Sequence, residues 1–156
     1  MMTSLIAALL LQAAPAAAAP VCTATVVPPA GLGAWATISG ITMDAIEPGK
    51  TTGLMLRQAG EVNFALPPER APAAGTFGGV YHVTIATAGT YRVALQAGAW
   101  IDLVRDGKSL TSVGHMEGPA CSGIRKIVDF ALEPGTYSLQ LSGAKAAQMR
   151  VLIATK

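Results

Sequence analysis

Pro134-Gly135-Thr136-Tyr137-Ser138-Leu139-Gln140-Leu141 places apolar side chains at every second position after a Pro-Gly turn. The Tyr and the two Leu residues would lie on one side of an extended chain, which is typical of a strand buried on one face. The arrangement recurs earlier, where Ala88-Gly89-Thr90-Tyr91 is followed by Val93 and Leu95. In each copy we expect the Tyr ring to lie in the core while its hydroxyl reaches the turn backbone.

Similar short segments continue outward from this pair and are separated by turn signals. Further candidate strands are 52–57, 61–66, 80–86, 99–105, 109–113, 126–132 and 148–154. Asp106-Gly107 is the clearest hairpin turn, because a two-residue turn needs positive φ and this pair adopts it at low cost. About eight short strands at this spacing predict an all-β fold, an antiparallel β-sandwich or jelly roll.

The composition indicates one globular domain and excludes two classes of function. The chain has 156 residues with 11 Lys and Arg against 9 Asp and Glu, a net charge of +2. These charges are scattered, so a basic surface for nucleic acid is not expected. Beyond the N-terminus, no segment approaches the roughly 18 apolar residues of a membrane span. The partners left open are a small molecule, a glycan or an envelope protein.

The N-terminus predicts export. Asp44 is the first charged residue, and the apolar run 5–11 is followed by a tail of small residues that extends to Pro20. This is the layout of a secretory signal peptide, assigned to residues 1–19, although no Lys or Arg precedes the apolar run. Residues 20–50 would form an N-terminal arm and first strand, and residues 51–156 the body of the same domain. The expected location is the periplasm or the exterior.

The two cysteines, Cys22 and Cys121, predict one disulfide. An even count in an exported chain favours a bridge, and a redox or metal-binding pair would need a closer spacing such as C-x-x-C. A bridge closing about 100 residues is worth about 4–5 kcal/mol in the chain-entropy model. It would fix the N-terminal arm to the body.

Two segments resemble known exported proteins. Residues 130–141 are similar to the closing strands of bacterial pre-peptidase C-terminal domains, which are non-catalytic jelly-roll modules. Residues 98–108, with 115–126, resemble a family of small exported bacterial proteins that often carry the label homogentisate 1,2-dioxygenase. That label implies a non-haem iron oxidoreductase with two His ligands and a carboxylate, whereas the compact H-x-H motif of the true dioxygenases is absent here.

The histidines limit any metal centre. His82 and His115 are the only two in the chain, and Glu117 lies two residues after the second. Together they could form a facial triad for iron, or bind zinc or copper. The alternative is that both are solvated or hydrogen-bonded side chains, since the spacing of 33 residues is not specific to a metal site.

The most informative loop is 114–123, which is rich in Gly and Pro and contains both His115 and Cys121. Loops fixed on a rigid scaffold often carry binding residues. Trp100 and Asp102 share one face of a candidate strand, an arrangement suited to stacking on a sugar, and Arg125 could meet an anion. We therefore expect a binding or accessory protein that uses Trp100, Asp102, His115 and Arg125 without a cofactor. The alternative is a small enzyme dependent on a divalent metal.

Overall fold

The computed structural model describes residues 21–24 and 26–156, so the predicted signal peptide lies outside the described residues. Within this part the regular secondary structure is β-strand, apart from two 3-10 turns at Gly33–Ala36 and Ala59–Glu61. The strands are β1 (Ile38–Thr42), β2 (Ala45–Ile46), β3 (Thr51–Met55), β4 (Arg57–Gln58), β5 (Phe77–Ile85), β6 (Gly89–Leu95), β7 (Trp100–Arg105), β8 (Lys108–Ser109), β9 (Gly114–Met116), β10 (Lys126–Leu132), β11 (Gly135–Ala144) and β12 (Gln148–Thr155).

The strands form two packed sheets. Sheet A has the order β1-β3-β12-β6-β10-β9, and sheet B the order β2-β5-β11-β7-β8, with β4 also paired to β5. Eight of these strands, β3, β5, β6, β7, β8, β10, β11 and β12, form two layers of four in the manner of a jelly roll. The predicted all-β sandwich is confirmed.

The sheets are mixed rather than purely antiparallel. β1 pairs with β3 in parallel, and β2 pairs with β5 in parallel. Parallel neighbours need a crossover connection. The chain provides one because it visits sheet B at β2 between β1 and β3. The N-terminal segment thus adds a strand to an edge of each sheet.

The core lies between the sheets and follows the predicted alternation. Tyr91, Val93 and Leu95 of β6 face Tyr137, Leu139 and Leu141 of β11 across one apolar cluster. The hydroxyl of Tyr91 donates a hydrogen bond to the carbonyl of Thr87 at 2.8 Å, and that of Tyr137 donates to the carbonyl of Glu133 at 2.7 Å. Both copies of the repeat therefore tie a buried ring to its preceding turn, as predicted.

The hairpin prediction is also confirmed. Asp106 and Gly107 both have positive φ, 51° and 71°, and they connect β7 to β8 through the pairs Val104–Ser109 and Arg105–Lys108. This pair of dihedrals is the type I′ turn whose twist matches the flanking strands.

Two of the predicted strands are wrong. Residues 61–66 begin at the last residue of the second 3-10 turn and contain no strand, and only Ser109 of 109–113 lies in a strand. The first error has a clear cause, since the backbone of Leu66 is bonded to the side chain of Gln140 instead of to a neighbouring strand. Its N–H donates to Oε1 at 3.0 Å, and its carbonyl accepts from Nε2 at 3.1 Å.

A second, smaller core lies on the outer face of sheet A. Leu32 and Trp35 of the N-terminal arm are buried there against side chains of β6, β10 and β12. The Trp35 indole donates to the carbonyl of Ser122 at 3.1 Å, next to the disulfide between Cys22 and Cys121. The predicted disulfide is confirmed, and its loop and the arm contact each other.

Candidate functional site

A cleft of about 540 Å³ lies at the edge of the sandwich, where β7 and β8 of sheet B meet β9 and β10 of sheet A. This volume is within the range of roughly 300–1,000 Å³ that is usual for small-molecule sites. Its floor is apolar and reaches the core through Ile101, Val128 and Phe130. The remaining lining residues are Glu69, Trp100, Asp102, Ser109, Leu110, Thr111, Ser112, His115 and Lys126.

Trp100 and Asp102 occupy the same side of β7, as the alternation predicts. Ile101 and Leu103 point into the core, so their neighbours lie on the outer face of sheet B. The Trp100 indole donates to Oδ1 of Asp102 at 3.2 Å, and this hydrogen bond fixes the ring at the mouth of the cleft. Asp102 is buried while Trp100 remains half-exposed. The carboxylate thus orients an aromatic surface that a ligand can reach.

Two cations lie over the Trp100 ring. Nζ of Lys126 is 5.3 Å from the ring centre, and Cζ of Arg70 is 5.9 Å from it. Lys126 reaches the ring from β10 and also donates to the carbonyl of Ala99 at 3.0 Å. Arg70 extends from the exposed connection between β4 and β5. Its cation–π contact with Trp100 is therefore expected to contribute only about 0.5–1 kcal/mol, as is usual at exposed sites.

Burial lowers the pKa of Lys126 from its usual value, and the charge of Asp102 acts in the opposite direction. The ammonium is therefore partly desolvated without a direct ion pair. A ligand group that is negatively charged and accepts hydrogen bonds would offset the free-energy cost of that desolvation.

His115 lies on the short edge strand β9 and is exposed. It lines both the main cleft and a neighbouring hollow of about 270 Å³ that includes Arg125 and Lys126. Three of the four predicted ligand-binding residues, Trp100, Asp102 and His115, thus meet at one cleft. Arg125 lies beside it and forms an ion pair with Glu117 at 2.6 Å.

The structure does not assemble the predicted metal triad. His82 lies on β5 in sheet B, with Nε2 4.0 Å from Oδ1 of Asp44, whereas His115 lies on β9 in sheet A. Glu117 is engaged by Arg125. Among residues 21–24 and 26–156, no three His, Cys, Asp or Glu side chains are grouped so as to hold a metal ion. The structure therefore does not bring His82, His115 and Glu117 together at one site.

Sequence reasoning did not assign three residues to the site. Lys126, next to Arg125, could equally meet an anionic ligand or form a surface ion pair, and Glu69 and Arg70 follow a segment that was predicted to be a strand. The signal that could have found Lys126 is its position on the core-facing register of β10, where Val128 and Phe130 follow at every second residue. A cation on that register must end near the rim of the sandwich.

A scan against protein-family models finds no match to this sequence, and a search of curated proteins finds none. No helix in the described part of the chain is long and apolar enough to cross a membrane.

Proposed function

We propose that this protein is an exported binding or accessory protein that holds a small polar ligand, of the carbohydrate class, in the cleft beside Trp100. One observation carries the proposal. A half-exposed Trp, the carboxylate that orients it and several hydroxyl side chains line the same cleft. The disulfide between Cys22 and Cys121 supports an oxidising location.

The chemistry of the lining suits a sugar. The C–H face of a pyranose is apolar and can pack on an indole ring, as the half-exposed Trp100 allows. Ser109, Thr111 and Ser112 also line the cleft, and their hydroxyls can both donate and accept hydrogen bonds. A few polar groups around an apolar floor are the usual composition of a ligand site.

The chain offers a selective optical test. It has only two tryptophans, and Trp35 of the N-terminal arm is buried against sheet A while Trp100 is at the cleft. Neutral and uronic-acid oligosaccharides can be screened by following tryptophan emission during titration. For a ligand of the cleft, we expect a saturable change in the emission of the wild type. The Trp100→Phe variant should lose that change, and the matched Trp35→Phe variant should retain it.

Two outcomes would contradict the proposal. One is the absence of a saturable change with every oligosaccharide, and the other is a change that persists in Trp100→Phe and disappears in Trp35→Phe. Circular dichroism of both variants checks that each is folded before its titration is interpreted.

A further inference from the structure

The cations around Trp100 are not in direct contact with the carboxylates that line the same cleft. Lys126 and Arg70 both lie over its ring, while the carboxylate nearest to the ring, Asp102, uses Oδ1 to accept the indole N–H. Oδ2 of Asp102 is buried and has no hydrogen-bond partner among the described residues. Glu69 also lines the cleft, but it is exposed and can turn to solvent. The mouth of the cleft therefore presents two cations, neither of which has a direct carboxylate partner within residues 21–24 and 26–156.

Lys126 has hydrogen-bonding capacity left for a ligand. Its ammonium has three N–H donors and gives one to the carbonyl of Ala99. It lines both the main cleft and the neighbouring hollow, so the side chain borders space that a ligand can enter. A half-buried ammonium gains more from an anion than a fully solvated one, because less water screens the pair.

On the basis of the proposed function, we infer that the ligand is an anionic sugar, a pyranose that bears a carboxylate. Its acid group would pair with Lys126 and Arg70, and its ring would pack on Trp100. Arg70 contributes by leaving the ring, since its long contact on an exposed loop is weak enough for a ligand to displace. The freed guanidinium can then bind the carboxylate through two N–H donors.

An acidic peptide would satisfy the two cations but not the rest of the cleft. Its backbone is not a flat apolar face for Trp100, and it has few hydroxyls for Ser109, Thr111 and Ser112. A neutral sugar would satisfy the ring and the hydroxyls but not the cations. The anionic pyranose is the ligand class that uses all three features.

The test compares matched ligands that differ only in charge. Trimers of glucuronic, galacturonic and mannuronic acid, and the methyl esters of each, are titrated into the mature disulfide-bonded protein by calorimetry and by Trp100 emission. For at least one trimer we expect the acid to bind about tenfold more tightly than its ester, as expected for a charge-assisted contact. Added salt should reduce this difference.

Lys126→Met should abolish the preference for the acid, and Lys126→Arg should keep part of it. Lys50→Met is the matched control, because Lys50 is an exposed lysine paired with Glu47 far from the cleft in the fold. Should Lys126→Met fail to fold, Arg70→Met provides the second variant and should weaken the preference.

The outcomes separate the two proposals. Equal binding of acids and esters that still changes Trp100 emission would overturn the inference and leave the proposed function intact. No response from either form would overturn both. An oligoglutamate peptide that binds as tightly as the best acid trimer would overturn the assignment to a sugar.

Discussion

Asp129 and Asp102 lie on opposite outer faces of the sandwich, and each is almost completely buried, at 3% and 4% exposure. Asp129 contacts two cations, with Oδ1 3.3 Å from Nε of Arg92 and Oδ2 3.0 Å from Nζ of Lys156. The contact with Arg92 is electrostatic, since neither of its atoms has a hydrogen-bond partner in the described part of the chain. Asp102 instead accepts one hydrogen bond from an indole, and its second oxygen has no such partner.

The two tryptophans differ in the same way. Trp35 is 2% exposed, donates to the carbonyl of Ser122 and packs under Arg150. Trp100 is half-exposed, and two cations lie over it in a cleft. On the face closed by the N-terminal arm, Asp129 is paired with two cations, whereas at the cleft Asp102 and Lys126 form no direct ion pair among the described residues. This difference is expected when one region serves stability and the other binding.

The largest effect should come from removing the disulfide. The paired replacement Cys22→Ser with Cys121→Ser releases a loop of about 100 residues, and we expect the free energy of unfolding to fall by about 4–5 kcal/mol. Denaturation with urea, with and without reductant, measures it. Trp35 donates a hydrogen bond to Ser122, next to the disulfide, so its emission should shift to longer wavelength when the bridge is removed. The response of Trp100 to ligand should be unchanged under native conditions. A loss of both signals together would contradict the separation of the two regions.

The next prediction compares how much stability is lost when Asp129 or Asp102 is replaced by asparagine. Asp129→Asn leaves Arg92 buried without its counter-charge, and we expect a loss of about 3 kcal/mol. Asp102→Asn can keep the hydrogen bond from Trp100 and removes a buried charge that has no direct ion pair, so we expect a change within about 1 kcal/mol.

Asp106→Asn is the matched control for both, because Asp106 forms a surface pair with Arg105 and is highly exposed. It should change the unfolding free energy by less than about 1 kcal/mol. Equal losses for Asp129→Asn and Asp102→Asn in urea denaturation would remove the proposed difference between the two faces.

Much of the scaffold could be predicted from local patterns. β10 and β12 fall within a residue of their predicted limits, because their alternation and their turns agree. The turn at Asp106-Gly107 and the two Tyr hydroxyl contacts also depend only on neighbours in sequence. Trp100 and Asp102 share a face of β7 because side chains two residues apart in a strand point to the same side.

What could not be predicted depends on contacts between distant segments. The segment 61–66 has strand-like alternation, but the backbone of Leu66 bonds to the side chain of Gln140 from another part of the chain, and Val62 and Phe64 donate to carbonyls close by in sequence. His82 and His115 are separated because the jelly-roll connections send β5 and β9 to different sheets. Likewise, only the packing of sheet A against sheet B shows that Lys126 reaches Trp100.

The smallest effect is a pH dependence at the cleft. Burial lowers the folded-state pKa of Lys126 below its usual 10.5, so between these two values the unfolded chain binds more protons than the folded one. Stability should therefore rise with pH through this window, and Lys126→Met should remove the rise. Because the lysine is only half-buried, we expect a contribution below about 1 kcal/mol.

The ionisation of Tyr81 also changes the pH dependence of stability measured in this experiment. Burial raises its pKa to about 12, against which Arg57 acts weakly, so ionisation of Tyr81 in the unfolded chain lowers stability above its usual value of 10.0. The difference between the wild type and Lys126→Met cancels this contribution, because both contain Tyr81. If that difference does not change as the pH rises towards 10.5, the ammonium at the cleft is not desolvated. The contrast between the closed face and the open cleft would then rest on Asp102 and Trp100, without Lys126.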